Sequence, residues 1–218
     1  MLVRSSNGRS IDCAFDSAVT PAASPTPRPS RPALAARYDR RQAEVVVEAA
    51  RVFAARGYDQ TTMAALADAV GIAAGGLYHY FWSKEQLLIR ICDQLMNPLL
   101  DEARELVSSS SEPAADQLRA LLRLWVAHVV AHRDHMLVFQ QERHVIEHGP
   151  QWKQVRDDRK AFERLVESLV VRATPDRDPR LAVAALLGMV NHTAQWYRPR
   201  GRLTPTEIAD GYATLLLG

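Results

Sequence analysis

Thr61-Thr62-Met63-Ala64-Ala65-Leu66-Ala67-Asp68-Ala69-Val70-Gly71-Ile72-Ala73-Ala74-Gly75-Gly76-Leu77-Tyr78-His79-Tyr80-Phe81-Trp82-Ser83-Lys84 decides the fold. Two short helical patterns lie either side of Gly71. Over Thr62 to Val70, Leu66, Ala67 and Val70 recur at the spacing that a helix buries on one face. Thr61 or Thr62 can cap its start, because a hydroxyl accepts a bond from an unpaired first-turn N–H. Gly71 suits the left-handed position that ends a helix. Over Ala74 to Phe81 the pattern buries Leu77 and Phe81 and turns Tyr78 and His79 outward. Two short helices joined by a glycine turn describe a helix-turn-helix, whose second helix enters a DNA major groove.

The rest of the chain is compatible with that partner. It has 218 residues, 47% apolar and 24% charged, as in an ordinary soluble globular protein with a sizeable core. It contains no apolar run of about 18 residues, so no membrane span is expected, and no secretory signal is visible. Cys13 and Cys92 imply neither a disulfide framework nor a zinc site, which fits a reducing cytoplasm. The net charge of +2 hides a gradient. Residues 1–41 hold seven arginines against three aspartates, a surplus of +4, and the remainder therefore carries −2. The positive charge lies beside the helix-turn-helix, where phosphates would be.

Further residues carry a resemblance. Ala49, Ala50, Phe53 and Gly57, then Thr61-Thr62, Ala67, Gly71, Leu77-Tyr78-His79-Tyr80-Phe81, Ser83-Lys84-Glu85 and Leu87, resemble the DNA-binding motif of the TetR family of repressors over roughly residues 40–90. The stretch Val138-Phe139-Gln140-Gln141-Glu142-Arg143 and the tail Trp196 to Thr204 resemble the branch of that family serving fatty-acid and steroid catabolism, whose effectors are acyl-CoA thioesters. The resemblance implies a homodimeric, ligand-responsive repressor on a palindromic operator. Its last two helices form a four-helix bundle with the mate, and the helix after Ser83 sets the separation of the two reading heads. Two departures stand out. Ala73, Ala74 and Gly76 occupy positions where family members carry a capping hydroxyl and polar side chains. Leu187, Asn191 and Gln195 stand where steroid-side-chain repressors place ligand-serving Arg and Trp.

The pattern as a whole is all-α, with about nine helices and no convincing strand alternation. Residues 1–36, where Pro21, Pro25, Pro27, Pro29 and Pro32 break any helix and Ser, Thr and Ala fill the gaps, read as a disordered arm. Residues 37–83 read as a three-helix DNA-binding domain and 84–218 as a helical ligand-binding and dimerisation domain. In the second, helices are expected over Ser83 to Val107, with Pro98 a kink, and over Ala114 to Ala131, His135 to His148, Gln151 to Ala173, Arg180 to Tyr197 and Thr204 to Leu217. The last two are the dimerisation candidates, and charge at Leu186 or Leu216 is expected to dissociate the dimer or unfold it, since an unpaired buried charge is costly.

Thr61, Thr62, Tyr78, His79 and Lys84 are the expected phosphate contacts. Gly75 and Gly76, beside Ala73, let the backbone approach DNA closely. Arg37 and Arg40 are placed to read minor-groove shape. Trp125, Phe139, Phe162 and Asn191 are expected to line an apolar effector cavity, with His128, Glu142 and Gln195 as polar anchors and Arg156, Arg159 or Lys160 near its mouth. No cofactor, metal or catalytic residue is expected. The competing reading, a helical metal-binding or catalytic protein, would use His128, His132 and Glu142, because histidines four apart share a helix face. A third is a regulator without a small ligand that acts through a protein partner.

Overall fold

A computed structural model describes residues 28–218; residues 1–27 of the arm expected over residues 1–36 lie outside the described residues. Ten α-helices and one 3₁₀ turn make up the described chain, with no strand among the described residues.

Helix α1 spans Pro32–Arg56 and begins before the expected Arg37. Pro32 starts this helix instead of breaking it. It occupies the first turn, where its missing N–H has no partner to lose and its fixed φ is already helical. Gly57, at φ 83°, ends it. Helix α2 is Met63–Val70 and α3 is Ala74–Leu77, shorter than the pattern to Phe81 predicts. The chain then turns over residues 78–80, yet Leu77 and Phe81 are both fully buried, as the spacing requires. Helix α4, Lys84–Ser109, is capped by Ser83 Oγ accepting from the Gln86 N–H at 3.1 Å, and it carries Pro98 within it.

Helix α5, Ala114–Ala131, is central and packs against α4, α8, α9 and α10. The single helix expected from His135 to His148 is two: α6, Arg133–Gln141, and α7, Arg143–Ile146, broken at Glu142 (φ −97°, ψ 17°). Gly149, at φ 86°, then turns the chain into a 3₁₀ turn, Pro150–Trp152, ahead of α8, Lys153–Ala173. Helix α9, Pro179–Trp196, is capped by the Asp178 carboxylate on the N–H groups of Arg180 and Leu181. Helix α10, Pro205–Leu217, opens on a reciprocal capping box between Thr204 and Glu207.

Two hydrophobic cores result. The first joins α1 to α3 with the start of α4, through Phe53, Leu66, Leu77, Phe81, Leu88 and Ile91. It also takes in Val138, Ile146, Trp152 and Val155, so the second half of the chain reaches into the packing of the helix-turn-helix head. The second core gathers α4, α5, α8, α9 and α10 around Trp125, whose ring meets Phe162 edge-on at 4.9 Å.

Candidate functional site: a DNA-facing head and an internal cavity

The head is assembled by short local bonds. Thr62 Oγ1 accepts from the Ala65 N–H at 3.1 Å and caps α2. Gly71, at φ 72° and ψ 37°, closes α2 by donating its N–H to the carbonyls of Ala67 and Asp68. Helix α1 braces both helices. Arg41 Nη2 donates to the Val70 carbonyl at 3.0 Å. The Tyr38 hydroxyl donates to the His79 carbonyl at 3.1 Å, and the Tyr38 ring lies 5.0 Å from that of Tyr80. Tyr78 (45% exposed), His79 and Ala73 are on the surface, as are Arg37 and Arg40 on α1. Gly75 and Gly76 have no positive φ. A Cβ on Gly75 would meet nothing within 4 Å, and one on Gly76 only the Ile72 side chain at 3.8 Å. The fold does not require glycine at either position.

Two expected phosphate contacts are differently employed. Thr61 is 2% exposed and donates its hydroxyl to the Gly57 carbonyl at 2.8 Å, so it builds the turn between α1 and α2 and is removed from the DNA-contacting set. Lys84 donates through Nζ to the Tyr58 carbonyl at 2.8 Å and sits 4.1 Å from the centre of the Tyr58 ring. One of its three N–H groups is thereby committed. Burial, with Glu85, Asp59 and Glu142 nearby, pushes the Tyr58 phenol up to about 12.

A cavity of about 490 Å³ lies in the second half of the chain. Met96 and Leu99 of α4, Trp125 of α5, Phe139 of α6, Phe162 of α8 and Leu187 of α9 form its apolar walls, and Asn191 lies among them. This volume is in the range of small-molecule sites. Four of the expected lining residues, Trp125, Phe139, Phe162 and Asn191, are therefore brought together. Three expected polar anchors are not. Gln195 lies beside the cavity, donating to Gln140 Oε1 at 3.0 Å. Glu142 is buried between α6 and α7, close enough to Tyr58 to raise its pKa. His128 is buried against α4, its Nε2 2.7 Å from the Leu95 carbonyl. Arg159 lines the cavity, and so does Arg143, which was not among the expected lining residues. Arg156 instead donates to the carbonyls of Ile146 and Gly149, at 3.2 and 2.9 Å.

The sequence was compared with known proteins. Residues 45–91 match the family described as bacterial regulatory proteins, tetR family, and residues 111–218 match the tetracyclin repressor-like C-terminal domain. The chain belongs to the TetR family. The transcriptional repressor KstR2 of Mycobacterium tuberculosis is 26% identical over 191 residues, which span 85% of this chain and 95% of that protein. KstR2 of Mycolicibacterium smegmatis is 28% identical over 199 residues, 87% of this chain and 92% of its own. Among solved structures, the ketosteroid regulator KstR2 of M. tuberculosis superposes with a TM-score of 0.75 at 26% identity, covering 81% of this chain and 93% of that one. AibR, solved with isovaleryl coenzyme A and operator DNA, gives 0.70 at 27%, covering 81% and 98%. These TetR-family relatives are transcriptional regulators, not enzymes.

The TetR-family head thus corresponds to the second half of α1 through the start of α4, and the cavity falls largely within the matched C-terminal domain. The residues of the competing metal reading, His128, His132 and Glu142, are not brought together as a ligand set. The His128 and His132 rings stack at 4.2 Å, and His132 Nδ1 faces the His128 carbonyl at 3.1 Å. A carbonyl only accepts, so the nitrogen of each ring that faces a carbonyl carries a proton. Glu142 is not part of this cluster, and among the described residues no group of three His, Cys, Asp or Glu is arranged to hold a metal. Burial instead pushes the His128 and His135 pKa values down to about 4, keeping both neutral. No helix of the described chain is long and apolar enough to cross a membrane.

Proposed function

We propose that this TetR-family protein is a homodimeric transcriptional repressor that leaves a palindromic operator when a small apolar effector, an acyl thioester of coenzyme A, fills the cavity. The placement of α4 carries this reading. Its first turns pack into the head through Leu87, Leu88 and Ile91, and further along the same helix Met96 and Leu99 wall the cavity. A ligand that displaces Met96 or Leu99 changes the tilt of the helix on which the head is mounted. Release then follows because the effector binds more tightly to the arrangement whose heads misfit the two half-sites.

On the DNA side, Tyr78, His79 and the first turn of α4 meet phosphates, and the bare surface at Gly75 and Gly76 admits the backbone of the groove. Arg37 and Arg40 extend the contact along α1. Two-fold symmetry sets half-sites about one helical turn apart. The mate is expected on α9 and α10, where Leu181 is 73% and Leu215 69% exposed. Leu186 and Leu216 are buried within this protomer's own core, so the exposed pair, not these two, is the place to test the interface. The effector class is supported by the likeness to AibR, solved with isovaleryl coenzyme A.

The test selects an operator from random DNA with purified protein, then titrates acyl-CoA esters and their free acids against the complex. Release by thioesters alone supports the proposal. Release by free acids or other apolar molecules, with thioesters inert, overturns the effector class.

A further inference from the structure

Helix α3 holds only four residues, two of them glycine, and no side chain caps its start at Ala73. A helix that short has no stability of its own, and each glycine weakens it further. Leu77 and Phe81 anchor it to the core of the head. Apolar burial is non-directional, so it fixes the depth of α3 and leaves its ends and its rotation to hydrogen bonds. Those bonds come from the early turns of α1.

Tyr38, Arg41 and Gln42 stand three and four residues apart, so they share one face of α1. Each donates to a main-chain carbonyl of the helix-turn-helix. The Tyr38 hydroxyl reaches His79 at 3.1 Å, Arg41 Nη2 reaches Val70 at 3.0 Å and Gln42 Nε2 reaches Tyr80 at 3.5 Å. Val70 ends α2, and His79 and Tyr80 lie in the turn after α3. Carbonyls at helix ends lack partners within the helix. At the end of α2 the N–H groups of Gly71 and Ile72 take the Asp68 and Ala67 carbonyls, and the Val70 carbonyl goes to Arg41. The Tyr38 ring, 5.0 Å from that of Tyr80, adds a packed contact at the second turn. Helix α1 presents this face because it begins as early as Pro32. All three residues precede residue 45, where the family match begins.

We infer that Tyr38, with Arg41 and Gln42, positions the recognition helix: these side chains hold the turn over residues 78–80 so that Tyr78 and His79 meet DNA in a single register. This rests on the reading that α3 enters the major groove. It separates two duties on α1. Arg37 and Arg40 add charge that attracts any duplex, whereas Tyr38 favours only the duplex that fits the fixed head. Phosphate contact carries no sequence information by itself, and discrimination needs contacting groups presented at a set distance and angle.

The test compares Tyr38→Phe with the natural full chain on an operator selected from random DNA and on scrambled DNA at fixed salt. The variant keeps the ring beside Tyr80 and removes only the hydroxyl. Operator affinity should fall about fivefold, the scale of one hydrogen bond, with scrambled-DNA affinity and the salt slope unchanged. Without DNA, amide exchange at Tyr80 and Phe81, whose N–H groups both donate to the Leu77 carbonyl, should quicken by about the same factor while that of α5 stays as it was. If Tyr38→Phe does not fold, Gln42→Met leaves the ring pair intact and should show the same pattern at about twofold, its bond being long. Equal losses on both DNAs make Tyr38 a direct phosphate contact and overturn the inference. A loss on operator alone without faster exchange makes it a base contact and overturns it too, as does no loss on either DNA. Tyr78→Ala is the control. If it weakens binding while Tyr38→Phe does not, the positioning role alone falls; if neither changes binding, the placement of α3 on DNA falls with it.

Discussion

Replacing Trp152 with phenylalanine cuts the link between the cavity wall and the head. Trp152 is fully buried in the core of the DNA-binding head, although it belongs to the 3₁₀ turn before α8. Its Nε1 donates to Glu85 Oε1 at 3.2 Å, and Gln151 Nε2 donates to the same oxygen at 2.7 Å. Glu85 lies in the first turn of α4. Phenylalanine keeps a ring in the core but removes that N–H and part of the indole. Hydrogen bonds to charged groups contribute roughly 1.5–3 kcal/mol. Here the bond is long and Glu85 keeps Gln151, so about 1 kcal/mol is expected. The unfilled volume adds about 1–2 kcal/mol. The urea midpoint should fall by the equivalent of about 2–3 kcal/mol with an unchanged slope. The segment from Arg143 to Trp152 runs from the cavity wall to Glu85. The variant should therefore need more effector to release operator, while its effector affinity without DNA stays within about twofold. A midpoint within about 0.5 kcal/mol of the natural protein, with a superimposable release curve, would refute the idea that Trp152 couples the two cores.

Arg37→Ala should weaken binding to operator and scrambled DNA alike and reduce the slope of log affinity against log salt by up to about one, while Tyr78→Ala, which removes no charge, should weaken both with the slope kept; unchanged affinity in either variant removes that residue from the DNA contacts. Leu181→Asp with Leu215→Asp should give monomers in light scattering with helical content retained, because a charge in an apolar interface is costly; a persistent dimer places the mate elsewhere. Stability should also depend on acid. His128 and His135 titrate at about 4 in the folded chain against an ordinary 6.5, so the unfolded chain binds more protons between these values. Their contribution is full above pH 6.5 and is lost as pH falls towards 4. Denaturation midpoints measured across that window should drop, and His135→Gln should flatten the drop; a midpoint independent of pH there contradicts the buried neutral state.

Local chemistry was legible before any coordinates. Thr62, Gly71, Ser83, Thr204 and the proline at the start of α10 announce their helix ends because caps and turns depend only on near neighbours. Apolar spacing likewise placed Leu66, Leu77 and Phe81 in a core and Trp125 and Phe162 inside the second half. Pro32 was misread because a proline that breaks a helix interior and one that opens a helix look alike in sequence. The break at Glu142 was missed because the apolar pattern runs on through it.

What a polar side chain does was less legible, because periodicity gives its face and not its partner. Thr61 had two available roles, a phosphate contact or a bond to its own turn, and only the approach of the Gly57 carbonyl chose the second. His128 and His132 sit four apart, as metal ligands can, but backbone carbonyls took the nitrogens that face them. Arg159 and Asn191 are separated along the chain and carry no motif. Helices α8 and α9 bring them to one apolar cavity. The sequence by itself determined the helices, their caps and the DNA-binding family. Tertiary packing alone decided which polar groups found partners within the protein, since hydrogen-bond satisfaction is settled by neighbours that are distant in the chain.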